Sequence, residues 1–466
     1  MNKTLISTYF VIIIVIRIGA QNWVPVPCFN VSHSSANINP IFVDSLHDEL
    51  ILNSTTSYSS CGIIYRGVFA YNPSGFRSMD LGLNAFDYLN LATGNERTFG
   101  CIPYNGKTLF GGKLSSVGSN TLPAKALALW DGSKWDSLTY TYPNYQSGTL
   151  GSNAIVNGFH RHNGKLWIYG QFSNLGGIAG KHLYTYDGNV FTSYTIPVTT
   201  FDGVKKLVSY KNKLIATGDF YNNPSFTIFR LAQYDGNTWS SVGNGVQGGV
   251  GGVADMLVYK DTLYIAGSFS KWDGNKGNYV MKWDGTQLLD AGFSSDFRGW
   301  WVVYKLIEYR DKLYAFGNFT DSLGGQKAYS VAYYEKGKWT FPKDSFGHII
   351  YSAAVYHDEL YVSGAFKDIN GVSVPCLAKL RCPNFDAATG CISSLSNEAI
   401  EAKKIQLFPN PTNGIITTNL EGEKIITNYL GQVLLTSPEK EIDISHLPNG
   451  VYLIRCGNRF GKVLKE

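Results

Sequence analysis

Few residues of this chain have the types and spacing that catalysis or metal binding requires. His160 and His162 stand two positions apart, so on an extended strand both imidazoles lie on one face, as paired metal ligands do. No carboxylate is near them, and His162 takes a position that is tyrosine in five other repeats, so we interpret it as a structural substitute. Asp273–Asn275 and Asp368–Gly371 resemble fragments of calcium loops but lack the remaining ligands. The sequence therefore predicts no metal site and no cofactor.

Motifs of other chemical classes are absent or weak. There is no GxSxG elbow, and the glycine-rich stretch 248–252 precedes no helix that would complete a phosphate cradle. The net charge of +5 is spread along the chain without a Lys/Arg run, which argues against a nucleic-acid partner. A catalytic carboxylate pair contributed by two different repeats is still compatible with the sequence.

A repeated strand organises the chain. Six apolar segments end in glycine, and a large apolar residue, usually Phe, follows two positions later. The spacing of roughly 50 residues is typical of β-propeller blades. The glycines are Gly112, Gly170, Gly218, Gly267, Gly317 and Gly364.

One unit, residues 253–289, shows the predicted blade. Strands a and b join at a tight turn, a loop of about ten residues leads to strand c, and Asp284-Gly285 makes the c–d turn. The Asp-Gly turn recurs in other blades, so we interpret its Asp as turn chemistry rather than as an acid, base or metal ligand. The recurring Trp five residues after the aromatic of strand c is interpreted as packing between blades.

A seventh unit begins near the N-terminus, with strand a at Ile41–Leu46 and strand b at Glu49–Leu52. The last unit, near Leu380, lacks a Trp-bearing strand d. We expect Trp23–Val26 to supply it and to close the ring, which removes exposed sheet edges. Phe385 is the competing choice. The expected fold is all-β: a seven-bladed β-propeller followed by a small immunoglobulin-like β-sandwich.

Candidate ligand-binding residues are those that break the repeat on one face of the propeller. The a–b and c–d turns are short, whereas the b–c and d–a connections, which share the other face, are long and irregular. We call the second the long-loop face. For the adjacent Trp300 and Trp301, a packing role is favoured over a stacking platform for a sugar or a protein. The candidates are Tyr142, Tyr145, Trp272, Asp296, Arg298, Trp300, Trp301 and His348.

The N-terminus predicts export. Residues 1–20 have Lys3, an apolar run and Ala20 before the mature chain, as a signal peptide does, and no other segment is long and apolar enough to cross a membrane. Seven cysteines fit an oxidising destination and predict disulfides, whose pairing the spacing leaves open.

The C-terminal segment has a different pattern: IQLFPNP at 405–411, Gly414, NYLGQV at 428–433, IDISHLPNGVY at 442–452 and KVLKE at 462–466. These blocks resemble the type A C-terminal sorting domain of the type IX secretion system of Bacteroidetes. The resemblance implies recognition by an outer-membrane translocon and removal by a sortase-like peptidase. Its recognition or fold residues would be Pro409, Asn410, Pro411, Gly431, Leu447, Gly450 and Tyr452.

These patterns predict four segments: a signal peptide at 1–20, a propeller at 21–392, a linker at 393–404 and a sorting domain at 405–466. The repeats are similar to kelch-like or galactose-oxidase-like propellers, whose fold hosts both binders and enzymes. The leading expectation is a secreted or surface-displayed binding protein for a glycan or a protein. The alternatives are a secreted lyase, glycosidase or oxidase with its site at the channel mouth, and a structural adhesion component.

Overall fold

The structure is a computed structural model of the chain. It divides into two compact units, residues 1–381 and 382–466. The described residues are 23–26, 29–31, 38–60, 63–79, 100–114, 116–117, 122–123, 126–137, 155–175, 178–188, 190–222, 227–248, 252–293, 301–320, 329–342, 344–374, 376–380, 385–386, 390–391, 407–428, 433–456 and 459–466. Within these ranges, no helix is long and apolar enough to span a membrane. The predicted signal peptide lies outside them.

The first unit consists of antiparallel sheets that follow one another along the chain, and its described residues form seven of them, here called blades 1 to 7. In blade 1, strands a to d are Ile38–Asp44, Glu49–Ser60, Ile63–Asn72 and Gly75–Ser78. In blade 2 they are Gly100–Tyr104, Lys107–Gly111, Leu127–Trp130 and Trp135–Ser137. In blade 3 they are Ile155–His162, Lys165–Gln171, Leu183–Tyr186 and Phe191–Ser193. Those of blades 4 and 5 are Thr200–Tyr210, Lys213–Tyr221, Phe229–Tyr234 and Trp239–Ser241; and Val253–Tyr259, Thr262–Gly267, Val280–Trp283 and Leu288–Asp290. Those of blades 6 and 7 are Val302–Tyr309, Lys312–Thr320, Tyr329–Glu335 and Lys338–Thr340; and Ile350–Tyr356, Glu359–Gly364, Leu377–Leu380 and Trp23–Pro25.

Smaller elements decorate these blades. Phe29–Val31 pairs with the far half of strand b in blade 1, and a short 3-10 helix, Lys271–Asp273, lies in the b–c loop of blade 5. The short hairpins are Ser116–Val117 with Leu122–Pro123, Asn174–Leu175 with Ile178–Ala179, Asp368–Ile369 with Val372–Ser373, and, in the second unit, Phe385–Asp386 with Gly390–Cys391.

The blades form a closed ring. Each of seven buried apolar clusters takes its residues from two neighbouring blades, and one of these clusters joins blade 7 to blade 1. The a strands contact one another in the same order and are therefore innermost. Ser352 of blade 7 also binds the backbone of Ile41 in blade 1, at 3.2 and 3.3 Å. Sheets packed face to face around a ring are a β-propeller, so the predicted all-β propeller fold is confirmed.

The N-terminal strand completes blade 7. Trp23 pairs with Leu380 and Pro25 pairs with Ala378, in antiparallel register. Phe385, the competing choice, pairs instead with Cys391 in the second unit. The prediction that the N-terminus supplies the outer strand is therefore confirmed.

The repeated glycine is required by a close approach of two backbones. Strand a of blades 3 to 7 carries a β-bulge near its start, which turns a carbonyl toward strand b. A Cβ at Gly267 would lie 2.0 Å from the carbonyl oxygen of Gly252, and a Cβ at Gly317 would lie 2.0 Å from that of Val302. Side chains of any size are therefore excluded at this repeat position.

The Asp of the c–d turn has the predicted turn role. In blade 5 the Oδ1 atom of Asp284 accepts hydrogen bonds from the backbone N–H groups of Thr286 and Gln287, at 2.7 and 2.8 Å. Asp131 makes the equivalent bonds in blade 2. Hydrogen bonds from Thr286 and Gln287 lower the pKa of Asp284 to about 2, as expected for a carboxylate that accepts several donors. The turn interpretation is confirmed.

In blades 4 to 7 the tyrosine that ends strand a links its blade to the next one along the ring. The phenol of Tyr309 donates to the carbonyl of Asp358 at 2.9 Å, and that of Tyr356 donates to the carbonyl of Asp48 at 2.7 Å. Tyr259 makes the same type of bond to Asp311. These bonds satisfy turn carbonyls at the boundary between blades.

The second unit contains a small β-sandwich. One sheet has the strands Leu407–Phe408, Ile415–Thr418 and Glu441–Asp443, and the other has Val433–Ser437, Lys424–Asn428, Gly450–Cys456 and Arg459–Lys465. Alternate residues of both sheets, such as Ile416 and Ile454, form one buried core. The predicted C-terminal sandwich is confirmed.

Described cysteines lie in both units. Cys101 and Cys456 are thiols in the structure, and burial raises the pKa of Cys101 well above its ordinary value. Cys376 is buried in the cluster that joins blades 1 and 7. Cys28, Cys61, Cys382 and the side chain of Cys391 lie outside the described residues, so disulfide pairing stays a prediction.

Candidate ligand-binding face

The predicted ligand-binding residues have different surroundings. Trp272 is 89% exposed, and His348 is exposed in the d–a connection before blade 7. Trp301 is half-buried, with its ring 5.7 Å from that of Tyr279, so it packs onto the core shared by blades 5 and 6. The structure thus places two of the three described candidates in solvent and one against the core. Tyr142, Tyr145, Asp296, Arg298 and Trp300 lie outside the described residues.

The loop that carries Trp272 is held by hydrogen bonds on both sides of the indole. The hydroxyl of Ser270 donates to Asp273 at 2.7 Å, and the backbone N–H of Lys271 donates to the buried side chain of Asn278 at 2.7 Å. Gly274 ends the short helix in the left-handed region, with φ of +89°. A large apolar side chain is therefore presented to solvent from a braced loop rather than from a loose one.

An asparagine ties this loop to the rest of the face. The amide of Asn275 accepts the N–H of Gln247 at 2.9 Å and donates to the carbonyl of the same residue at 2.8 Å. In blade 7, Asn370 accepts the N–H of Ser345 at 2.8 Å. Both asparagines lie in the fragments that resemble calcium loops, and the structure gives these amides a role in joining the b–c loop to the preceding d–a connection.

Three inner strands contribute a charged cluster that the sequence analysis did not single out. Lys206, Asp255 and Lys305 lie on strand a of blades 4, 5 and 6. The carboxylate of Asp255 lies 2.9 Å from the ammonium of Lys206 and 3.4 Å from that of Lys305. It also accepts the backbone N–H of Leu306 at 3.0 Å. Each charged residue stands four positions before the tyrosine that ends its strand, so alignment of the repeats could have found the cluster.

Electrostatics keep this cluster ionised. Burial opposes ionisation of Asp255, yet Lys206 and Lys305 hold the pKa of its carboxyl below the usual value. Asp255 in turn raises the pKa of Lys206. A carboxylate held in this way is a poor proton donor for general acid catalysis.

The histidine pair joins blades 3 and 4. The Nε2 atom of His160 and the Nδ1 atom of His162 both lie 2.8 Å from the hydroxyl oxygen of Ser209. Burial first, then the positive charges of His162 and Lys206, lower the pKa of His160 to about 4. Both rings therefore bind Ser209 on strand a of blade 4, whereas the tyrosine at the position of His162 in other blades binds a turn carbonyl of the next blade.

The pH dependence of stability follows from His160. Its pKa is lower in the folded chain than the 6.5 of the unfolded chain, so the unfolded state takes up the proton first and stability falls as pH drops from 6.5 to about 4. Allowing for partial exposure, we expect His160→Gln to recover about 1–2 kcal/mol of that loss. Urea unfolding at pH 7 and pH 4 measures it. His348→Gln, at an exposed site, is the control, and equal losses in wild type and His160→Gln would contradict the assignment.

Within the described residues, no three His, Cys, Asp or Glu side chains are arranged to hold a metal ion. Two carboxylates on or beside the inner strands are ion-paired: Asp255 with its lysines, and Asp219 with Lys205 at 2.8 Å. These pairs favour an electrostatic or structural role for both groups over proton transfer.

Three of the residues expected to mark the sorting domain, Asn410, Leu447 and Tyr452, contact other parts of the domain. Asn410 donates to the carbonyl of Lys462 at 2.7 Å and accepts the N–H of Leu464 at 2.9 Å, which ties the PNP motif to the last strand. Tyr452 is buried and donates to the carbonyl of Pro448, while Leu447 packs against the core. Gly431 lies outside the described residues.

Exposed apolar side chains are common on this small domain. Phe408 and Ile415 project from one sheet, and Leu453 and Leu464 project from the other. Single exposed apolar side chains are normal on protein surfaces, so these residues do not by themselves mark a contact surface. Sequence blocks alone do not separate them from the buried positions beside them.

Comparison with solved structures finds several similar chains at low identity. PorZ, a bacterial surface component of the type IX secretion system of Porphyromonas gingivalis, is 13% identical with a TM-score of 0.44, over 92% of this chain and 59% of PorZ. YjhT is 15% identical with a TM-score of 0.34, over 60% of this chain and 93% of its own. The propeller domain of the Trilobed protease from Pyrococcus furiosus is 10% identical with a TM-score of 0.41, over 74% and 95%. This chain thus spans about three fifths of the length of PorZ. The assignment of the propeller fold rests on the sheet topology of this chain itself.

Comparison with families is informative for the C-terminal unit. No curated protein matches the sequence. Residues 406–466 match the family described as the secretion system C-terminal sorting domain. The resemblance drawn from the sequence blocks is confirmed. The chain is a β-propeller protein that carries a type IX secretion system C-terminal sorting domain and is exported to the cell surface or secreted.

Proposed function

We propose that this exported propeller is a non-catalytic binding protein whose long-loop face holds a glycan or protein ligand. The observation that carries the proposal is Trp272, an indole that is 89% exposed on a braced loop. Such a side chain adds little to the stability of the fold, because almost none of its surface is buried. A rigid, exposed aromatic is what stacking on a sugar ring or anchoring a protein contact requires.

The proposed organisation keeps the predicted limits: signal peptide 1–20, propeller 21–392, linker 393–404 and sorting domain 405–466. In this proposal the translocon recognises the sorting domain and a sortase-like peptidase removes it. The propeller then acts outside the cell, where the long-loop face meets its ligand. The ion pairs of Asp255 and Asp219 support binding over catalysis.

A Trp272→Ala variant tests the ligand-binding role. We expect binding to fall by at least about tenfold, because a central aromatic anchor contributes well over 1 kcal/mol, while thermal stability stays within about 0.5 kcal/mol. Fluorescently labelled protein is applied to a glycan array, which samples isolated sugars, and to intact bacterial cells, which display proteins as well as glycans.

Val372→Ala is the matched control, since Val372 is an exposed apolar residue in the b–c loop of blade 7. It should leave both binding profiles unchanged. If Trp272→Ala binds the array and the cells as the wild type does, Trp272 is not the anchor and the proposed function loses its main support.

A further inference from the structure

We propose that Lys206 and Lys305 form a binding site for the carboxylate group of an acidic ligand, on the innermost strands of the propeller. The site is distinct from Trp272 and uses no residue of the braced loop. It is built by three consecutive blades, because Lys206 and Lys305 approach Asp255 from the blades on either side of it. No single blade could form it.

The charge of the cluster is the first argument. Two ammonium groups share one carboxylate, so the cluster carries one positive charge in excess. In addition to Asp255 and Lys305, Tyr169 and His160 interact electrostatically with Lys206. Burial raises the pKa of Tyr169 and lowers that of His160, so both are neutral at pH 7. Neither supplies the missing negative charge.

The repeat position of the cluster is the second argument. The same position, four residues before the aromatic that ends strand a, is Gly158 in blade 3 and Ser352 in blade 7. Both flanking residues are small and uncharged. At this repeat position, blades 4, 5 and 6 therefore carry charged side chains and the blades on either side of them carry neutral residues.

Accessibility is the third argument. The side chains of Lys206 and Lys305 are 31% and 25% exposed, whereas that of Asp255 is 5% exposed. Part of each lysine side chain can therefore be reached from solvent, while the carboxylate that holds the two ammonium groups is covered. An ammonium has three N–H donors, so contact with Asp255 leaves donors for a second oxygen ligand.

The contacts with Asp255 indicate which lysine responds most to a ligand. Lys305 lies 3.4 Å from the carboxylate, compared with 2.9 Å for Lys206. Although Asp255 raises it, burial and the charge of Lys206 lower the pKa of Lys305. A ligand carboxylate would compensate this charge through charge-assisted hydrogen bonds, which are stronger than neutral ones. The carboxylate can come from an acidic sugar or from an acidic peptide side chain.

The test is a titration of the full-length mature protein with sodium glucuronate and, separately, with N-acetyl-aspartate amide. Glucose and sodium chloride at matched ionic strength are the blanks. We expect a saturable rise in the thermal midpoint with at least one carboxylate and none with the blanks. A response to glucuronate alone assigns the site to an acidic sugar, and a response to the aspartate derivative alone assigns it to a peptide.

Lys305→Met should weaken the response by about tenfold or more, and Lys305→Arg should keep it. Asp255 retains Lys206 and the N–H of Leu306 in both variants, so the fold is expected to persist. Lys312→Met is the matched control, since Lys312 is 31% exposed and also lies 3.4 Å from its carboxylate partner, Glu335. No saturable response to either probe, or an equal response in Lys305→Met, would overturn the proposal. Trp272→Ala should leave the response intact, which separates this site from the proposed ligand-binding face.

Discussion

Removing residues 406–466 is expected to abolish the appearance of the propeller outside the cell while leaving its fold unchanged. All seven blades and all seven inter-blade clusters of the described residues come from residues before 381, so the truncated chain keeps its core. The sorting domain has a separate core of its own. Fractionation of cells and medium, with circular dichroism of the purified chain, measures both effects.

The reciprocal experiment is the control for this prediction. Residues 382–466, the second compact unit, are fused behind a reporter that carries a signal peptide, and we expect the reporter to leave the cell. Asn410→Ala in the fusion removes two backbone hydrogen bonds from the last strand and should reduce export with it. Export of the truncated chain at the wild-type level would show that the signal lies elsewhere.

The fold was predictable where it depends on local rules. A Cβ at the repeated glycine would lie 2.0 Å from a backbone carbonyl oxygen, so only glycine fits there. The glycine therefore recurs in every blade that carries the bulge, and its period is visible in the sequence. The Asp-Gly turns are also visible in the sequence because their interactions are local. The backbone amides that donate hydrogen bonds to Asp284 lie only two and three residues away. Trp23 was recognisable because it supplies the tryptophan that the last blade lacks.

The charged cluster could have been found only by aligning the repeats, because no local sequence pattern marks it. Lys206, Asp255 and Lys305 are separated by about 50 residues each, and nothing local marks them as neighbours. Their contact depends on the β-bulges, which set the register of strand a and hence the direction of each side chain. The face that carries Trp272 was predictable from loop length, whereas the exposure of this indole and the burial of Trp301 depend on packing between blades.

Replacing Trp23 by alanine is expected to cost about 3–5 kcal/mol of stability, the range for a buried Trp truncated in a core. Trp23 is 1% exposed and meets the rings of Phe346 and Phe316 edge-on at 5.4 and 6.1 Å. The strand it anchors is only three residues long and comes from the opposite end of the propeller. Loss of the anchor should therefore release the strand and leave residues 377–380 as an open sheet edge.

A matched variant separates loss of packing from opening of the ring. Trp135 is also buried, at 3% exposure, but its strand d continues directly from strand c of the same blade. Trp135→Ala should lose comparable stability without releasing a strand. Hydrogen exchange reports the difference: amides of 377–380 should exchange faster in Trp23→Ala and at the wild-type rate in Trp135→Ala. Equal protection of 377–380 in both variants would mean that the ring stays closed without Trp23, and that the inter-blade bonds of Tyr356 and Ser352 suffice to hold it.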